Sequence, residues 1–474
     1  MQSVAESLQR LRVIAESAPV ARLAAAFAAA GFELSLVGGP VRDALLGRAV
    51  NDLDFTTNAT PDRIVEVLDP LARAHWDIGR AFGTIGAHVD DSTVEITTYR
   101  TDSYDTGSRK PDVVFGDTLE GDLIRRDFTI NALALRVPDV VLVDPSGGVD
   151  DLLTGTLRTP STPEISFGDD PLRMLRAARF TAQLGFAVDL DTLEAMGRMR
   201  ERISIVSAER IRDELSKLLC SDEPRHGIEL LVETGLAELV LPEIPALRLE
   251  IDEHHHHKDV YQHSLTVLDQ AIGYETARHP GEAPDLVLRL AALLHDIGKP
   301  ATRRLEPGGA VSFYHHDMVG AKLARKRLKS LRFDNGTIDA VGRLIELHLR
   351  FFGYTEGAWT DSAVRRYVRD AGDQLERLHM LTRADVTTRN RRKADRLGFA
   401  YDDLEERIGV LAEEEELAAV RPDLDGGDVM RILGVKPGPE VGRAMKFLLE
   451  LRLDNGPMDP TEAERRLLEW RDGQ

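Results

Sequence analysis

Apolar and polar positions alternate with a period of two only in the first third of the chain. Leu34-Ser35-Leu36-Val37 runs into Gly38-Gly39, and Asp52-Leu53-Asp54-Phe55 alternates. Val94-Glu95-Ile96-Thr97-Thr98-Tyr99 and Val140-Val141-Leu142-Val143-Asp144 are rich in β-formers. Helical spacing fills the intervals, so residues 33–144 predict an α+β head with a mixed β-sheet. Met1 to Phe32 is Ala-rich and carries Glu6, Arg10, Arg12, Glu16 and Arg22, which predicts an amphipathic helix and not a secretory apolar core. After Asp150 the pattern is helical almost without interruption. Pro242, Pro245 and the run Glu253-His254-His255-His256-His257-Lys258 mark a boundary, and the His run reads as an exposed loop. The expected organisation is a head over residues 1–155, an all-α neck over 156–250, a His-rich helical body over 251–395 and an acidic helical tail over 396–474, with a turn at Lys436-Pro437-Gly438-Pro439. There are no internal repeats.

Composition narrows the function classes. A chain of 474 residues with 42% hydrophobic content divides into several domains. No run approaches the ~18 apolar residues of a membrane span. The formal net charge of -20 sets aside a globally basic nucleic-acid binder, so any RNA contact depends on locally concentrated cations. A single cysteine, Cys220, excludes an internal disulfide framework, argues against a thiolate zinc site and fits a reducing cytoplasm. At the end of Leu215-Ser216-Lys217-Leu218-Leu219 it reads as a small buried apolar residue.

Two features of the head carry chemistry. In Gly38-Gly39-Pro40-Val41-Arg42-Asp43, paired glycines admit a phosphate close to the backbone. Pro40 sits at a first helical position, the helix start presents free N–H groups, and Arg42 adds a charged fork in the first turn. About a dozen residues on, Asp52 and Asp54 share one strand face, with Leu53 and Phe55 on the other. Two neighbouring carboxylates repel unless a cation lies between them, and hard oxygen donors suit Mg²⁺ carrying substrate phosphates. Glu95 is a candidate third carboxylate; an outward strand glutamate is the other reading. No Gly-x-x-x-x-Gly-Lys-Ser/Thr loop is present, which argues against a P-loop enzyme.

These residues resemble the head of bacterial-type (class II) tRNA CCA-adding nucleotidyltransferases and their relatives the bacterial poly(A) polymerases, within the DNA polymerase β nucleotidyltransferase superfamily. The likeness continues in order. Arg125-Arg126-Asp127-Phe128-Thr129-Ile130-Asn131-Ala132 resembles the second motif, and Asp144-Pro145-Ser146-Gly147-Gly148-Val149-Asp150-Asp151-Leu152 the hinge. Asp170-Pro171-Leu172-Arg173-Met174-Leu175-Arg176-Ala177-Ala178-Arg179-Phe180 resembles the base-template helix, although Asp169 stands where the family usually has Glu. Glu209-Arg210-Ile211 with Glu214 resembles a later neck motif. The resemblance implies a polymerase β-like head followed by an all-α neck, an HD body and a tail. It implies Asp52 and Asp54 as the catalytic metal ligands, with Mg²⁺. Gly39, Arg42 and Arg126 would contact the sugar and triphosphate. Asp170 and Arg173 would read the base of CTP or ATP, and Arg176 and Arg179 would complete the pocket. The partner it implies is tRNA. The RNA 3′-hydroxyl would attack the α-phosphate and pyrophosphate would leave.

The template helix also has a reading of its own. Asp170 before Pro171 is a respectable N-cap. Arg173, Arg176 and Arg179 step by three and drift roughly 60° per step, covering a broad face opposite Leu172, Leu175, Ala182 and Leu184. That face is either solvated or anion-facing, and the acidic background favours the second.

The body holds a second constellation: His263, His295-Asp296, His315-His316-Asp317, His348 and Asp385. It resembles the HD metal-dependent phosphohydrolase superfamily, which implies His263, His295, Asp296 and Asp385 as a metal set. Mixed imidazole and carboxylate donors suit a transition ion. The body may be read as hydrolysing phosphoesters, as keeping metal for stability, or as docking tRNA. Arg325-Lys326-Arg327-Leu328-Lys329 and Arg389-Asn390-Arg391-Arg392-Lys393 are candidate phosphate-backbone contacts, or ordinary solvated faces. CCA addition therefore leads; poly(A) addition, CC-only or A-only addition, and an HD phosphohydrolase whose head senses nucleotide, are the alternatives.

Overall fold

The computed structural model describes residues 4–50, 52–77, 79–103, 112–116, 118–249, 259–307, 311–356, 359–387, 390–415 and 421–474. The His254–His257 run, Arg389 and much of the segment between Asp91 and Asp117 lie outside them. The chain forms two compact units, Met1–Pro242 and Glu243–Gln474.

The first unit is built on a seven-stranded sheet. Its chain contains β1 (Leu34–Val37), β2 (Leu53–Thr57), β3 (Ala72–Trp76), β4 (Thr84–Val89), β5 (Ser92–Thr98), a small ribbon of β6 (Arg100–Ser103) and β7 (Asp112–Phe115), then β8 (Ala134–Val137) and β9 (Val141–Val143). The main sheet runs β3-β4-β5-β2-β1-β8-β9. Only β2 and β5 pair in parallel, so the sheet is mixed as expected. That parallel register sets Asp54 opposite Glu95. β1 is buried along its whole length, and Phe55 and Ile96 fill the layer behind the carboxylates. Beyond the sheet the unit is helical apart from a two-residue parallel pair, Thr156–Leu157 with Ala187–Val188.

Two sequence expectations change and one alternative is decided. The N-terminal stretch is two helices, Val4–Ala15 and Ala18–Ala29, because Ser17 is extended and Pro19 opens the second. Cys220 is only half-buried, at the C-cap of Ala208–Leu219. Of the two readings of Arg173, Arg176 and Arg179, the solvated face is not the one that forms. Arg173 is buried, and the other two are partly buried against carboxylates of the protein itself.

The second unit is helical, with one short antiparallel pair, Arg304–Leu305 with Val311–Ser312. Helices Val260–Arg278, Leu286–Leu294, Asn335–Leu347 and Leu375–Ala384 pack on one another through buried Leu265, Leu268, Leu290, Leu293, Leu344 and Leu381. Towards the C-terminus, Val429, Ala444, Leu448, Ala463 and Leu467 form a separate small core. The turn at Lys436–Pro439 lies between helices Gly426–Leu433 and Pro439–Asn455.

Candidate functional site

The head site forms where β1 ends. Gly38 has φ 70° and ψ -127°, a conformation close to glycine-only, and a Cβ there would lie 3.1 Å from Arg126 Nη1. The chain turns directly into the helix Gly39–Leu46, whose Arg42 N–H returns to Gly38 O at 3.0 Å. Asp52, just before the adjacent strand β2, is exposed, and Asp54 within it is half-buried. Burial, and then the Glu95 charge, push the Asp54 carboxyl up to about 6; Arg126 opposes the shift and Asp52 adds to it. Three carboxylates and one guanidinium therefore share one electrostatic environment. Excess negative charge of this kind fits divalent cations held by oxygen donors. Arg126 is held by Asp122, at 3.2 Å, and its Nε has no hydrogen-bond partner among the described residues.

Behind this site a hydrogen-bonded chain ties the glycine turn to the helix Leu172–Leu184. Arg42 donates to both oxygens of Asp43 at 2.9 Å and to Asn131 Oδ1 at 2.8 Å. Asn131 donates to Asp127 at 3.1 Å, and Asp127 accepts from Arg176 at 2.8 and 2.5 Å. Burial works against an ionised Asp127, but Arg176, Asn131 and Arg173 outweigh it and hold its carboxyl well below the usual range. Glu214, itself buried, accepts from Arg179 at 2.7 Å. Asp127, Asn131 and Glu214 were quoted in motifs but given no role by the sequence; their partners lie on distant elements.

Asp170 caps the helix through the Leu172 N–H at 3.1 Å and accepts from Arg210 at 2.7 Å. Arg173 donates to Ser166 Oγ at 2.8 Å and to the Arg125 carbonyl at 2.6 Å. The Asp170 carboxylate and the terminal nitrogens of Arg173 are thus engaged within the protein.

The second unit brings its histidines together from separate helices. His263 Nε2 lies 3.0 Å from Asp385 Oδ1, and His295 Nε2 lies 3.3 Å from Asp296 Oδ2. His316 Nε2 is 3.3 Å from Asp296 Oδ1. Two trios able to hold a metal result: His263, His295 and Asp385, then Asp296, His316 and His348. His348 Nε2 is buried with no hydrogen-bond partner among the described residues, as a ligand atom would be. Burial opposes a charge on His295, but Asp296 and Asp385 raise it to about 10, so the carboxylates favour positive charge in their midst. Of the adjacent histidines, His316 enters the cluster and His315 is exposed. Lys299 pairs with Asp296 at 2.8 Å. The sequence-derived set of four is brought together; His316 and His348 extend it. In the basic stretch, Arg325 pairs with Glu346 and Arg327 with Glu243, while Lys326 and Lys329 are exposed.

A strand-turn-helix glycine turn beside paired acidic side chains, followed by an HD-type cluster, fits a metal-dependent nucleotidyltransferase class. Residues 34–158 match the Poly A polymerase head domain, 185–247 the "Probable RNA and SrmB- binding site of polymerase A", and 260–390 the HD domain. The A-adding tRNA nucleotidyltransferase of Deinococcus radiodurans is 35% identical over 92% of this chain and 95% of its own length. The CC-adding tRNA nucleotidyltransferase of Thermus thermophilus is 32% identical over 92% and 94%. The CCA-adding enzyme of Bacillus subtilis is 40% identical over 48% and 55%. Among solved structures, the Bacillus stearothermophilus CCA-adding enzyme in complex with CTP superimposes with a TM-score of 0.68 at 25% identity, covering 96% of this chain and 98% of that one. The chain belongs to the tRNA nucleotidyltransferase family. No helix among the described residues is long and apolar enough to cross a membrane.

Proposed function

We propose that this protein adds CCA to the 3′ ends of tRNA from CTP and ATP without a nucleic-acid template. The carrying observation is the placement of Asp52, Asp54 and Glu95 beside the Gly38-Gly39 turn, with Asp54 pushed up to about 6 by burial and by Glu95. Asp52 and Asp54 would hold Mg²⁺, which supplies Lewis acidity at the reacting phosphate. Gly39 and the start of its helix receive the triphosphate, with Arg42 and Arg126 adding positive charge. Asp170 and Arg173 offer an acceptor and donors to a base edge once they exchange their present partners, and Arg176 and Arg179 complete the pocket. The RNA 3′-hydroxyl displaces pyrophosphate from the α-phosphate. We place the activity in the cytoplasm, where tRNA and both nucleotides meet.

The HD cluster fits metal by its donor chemistry and by the orphaned His348 nitrogen. His263, His295, Asp296 and Asp385 would hold a transition ion and His316 and His348 would extend the site, which supports phosphoester hydrolysis as a second activity of the body.

One observation favours a second reading of the head. The A-adding and CC-adding relatives above each match 92% of this chain, which supports a specialist for part of the sequence. Incubating the protein with tRNA lacking its end, with CTP and ATP separately and together, decides. Addition of two C residues and then one A supports CCA addition. Arrest after CC, or A added only to tRNA ending in CC, supports a specialist, and long A tracts contradict both.

A further inference from the structure

The helix Leu172–Leu184 carries a buried aromatic ring to which neither reading assigns a role. Phe180 is 3% exposed. Three guanidiniums surround it: Arg179 at 4.2 Å from the ring centroid, Arg42 at 5.3 Å and Arg176 at 5.6 Å. They come from two places, since Arg42 belongs to the helix after the glycine turn. Phe128 of the second motif meets the ring edge-on at 5.8 Å. Arg42 pairs with Asp43, Arg176 with Asp127, and Arg179 with Glu214, which also lies 4.0 Å from Arg176. Those bonds link the cations in series, Arg42 to Arg176 through Asn131 and Asp127 and Arg176 to Arg179 through Glu214, and each link passes through an intervening group. The ring is the one group common to all three. Its face attracts cations through the quadrupole and consumes none of their N–H donors.

We propose that Phe180 is a positioning residue for the incoming nucleotide. Its ring gathers Arg42, Arg176 and Arg179 into one array and so couples the phosphate turn to the base-reading helix. An aliphatic side chain would fill the space without this attraction. The proposal rests on the nucleotidyl-transfer reading above.

The test replaces Phe180 in the full chain with mono-, di- and trifluorinated phenylalanine, which drain charge from the ring face while nearly preserving its shape. Steady-state CTP and ATP incorporation into end-truncated tRNA is measured. KM for both nucleotides is expected to rise stepwise, to on the order of tenfold for the trifluorinated ring, with kcat changed by less than about twofold because Asp52 and Asp54 are untouched. Phe180→Leu is expected to raise KM at least as far. A KM that stays flat across the fluorinated series overturns the proposal even if Phe180→Leu raises it, since packing alone would then account for the ring. A series that lowers kcat at constant KM overturns it as well. A wild-type protein that incorporates neither nucleotide sinks the nucleotidyl-transfer reading, and this proposal with it.

Discussion

Replacing Asp54 by asparagine separates what the carboxylate cluster does for catalysis from what it costs the fold. Burial and Glu95 move the Asp54 carboxyl from its ordinary 3.8 to about 6. The charged form is then disfavoured in the folded state by on the order of 3 kcal/mol. The sign follows from the raised value. Below pH 3.8 the group is neutral in both states and there is no penalty; the penalty grows between 3.8 and 6 and is complete above it. At pH 8 in EDTA, Asp54→Asn should therefore unfold at a higher temperature than wild type. About 3 kcal/mol corresponds to about 6–12 °C for a unit of this size. The gap should close as the pH is lowered towards 4. Mg²⁺ at a hundred times its Kd should stabilise wild type by about 2.7 kcal/mol and the variant much less. Nucleotide incorporation by the variant should fall by at least about a thousandfold. Thermal melts at two pH values, with and without Mg²⁺, give the three stability comparisons, and an incorporation assay gives the fourth. An asparagine variant that melts below wild type at pH 8 in EDTA, or that gains as much from Mg²⁺, would refute the argument that crowded negative charge makes this a cation site.

Other consequences are checked as directly. Gly38→Ala forces a side chain into φ 70°, ψ -127° within 3.1 Å of Arg126 Nη1, and should cost about 1–3 kcal/mol of stability and raise KM for both nucleotides. Asp127→Ala leaves Arg176 with only the longer Glu214 pair, at 4.0 Å. It should destabilise by about 3 kcal/mol, the low end for buried pairs because the Arg176 side chain is 33% exposed. Because the Asp127 carboxyl is held low, that stability is present above its ordinary 3.8 and is lost as the pH falls further, so the gap should narrow in acid. In the body, elemental analysis after Mn²⁺ or Ni²⁺ loading should find metal in wild type. His316→Ala with His348→Ala should lower the content, and His263→Ala with Asp385→Ala should lower it independently; metal unchanged in both pairs would exclude the cluster as a metal centre.

The readable parts of the site were those where chemistry is local in the chain. Gly38, Asp52 and Asp54 stand within one strand-turn-helix-strand stretch, so period and spacing alone put the carboxylates beside the turn. Glu95 could be settled only by register: its pairing with Asp54 is a property of two strands meeting. Which anions the arginines of the Leu172–Leu184 helix face was hidden for the same reason. Helical periodicity shows which way a side chain points, but not that Asp127 and Glu214, 49 and 35 residues away, will be waiting there. His316 and His348 were visible as residues, yet nothing in their spacing ties them to Asp296; three packed helix ends do. β3, β4 and β8 escaped notice because strands such as Ala72–Trp76 carry little β-former bias and are held by their neighbours.

Catalysis by the acidic pair at the head is the claim on which the functional account stands, and single-turnover CTP incorporation into end-truncated tRNA by wild type and Asp52→Ala tests it most directly. Wild type should extend the RNA in Mg²⁺, and the variant should still bind tRNA and keep the body's metal while adding no nucleotide. Extension by Asp52→Ala at the wild-type rate would contradict the account.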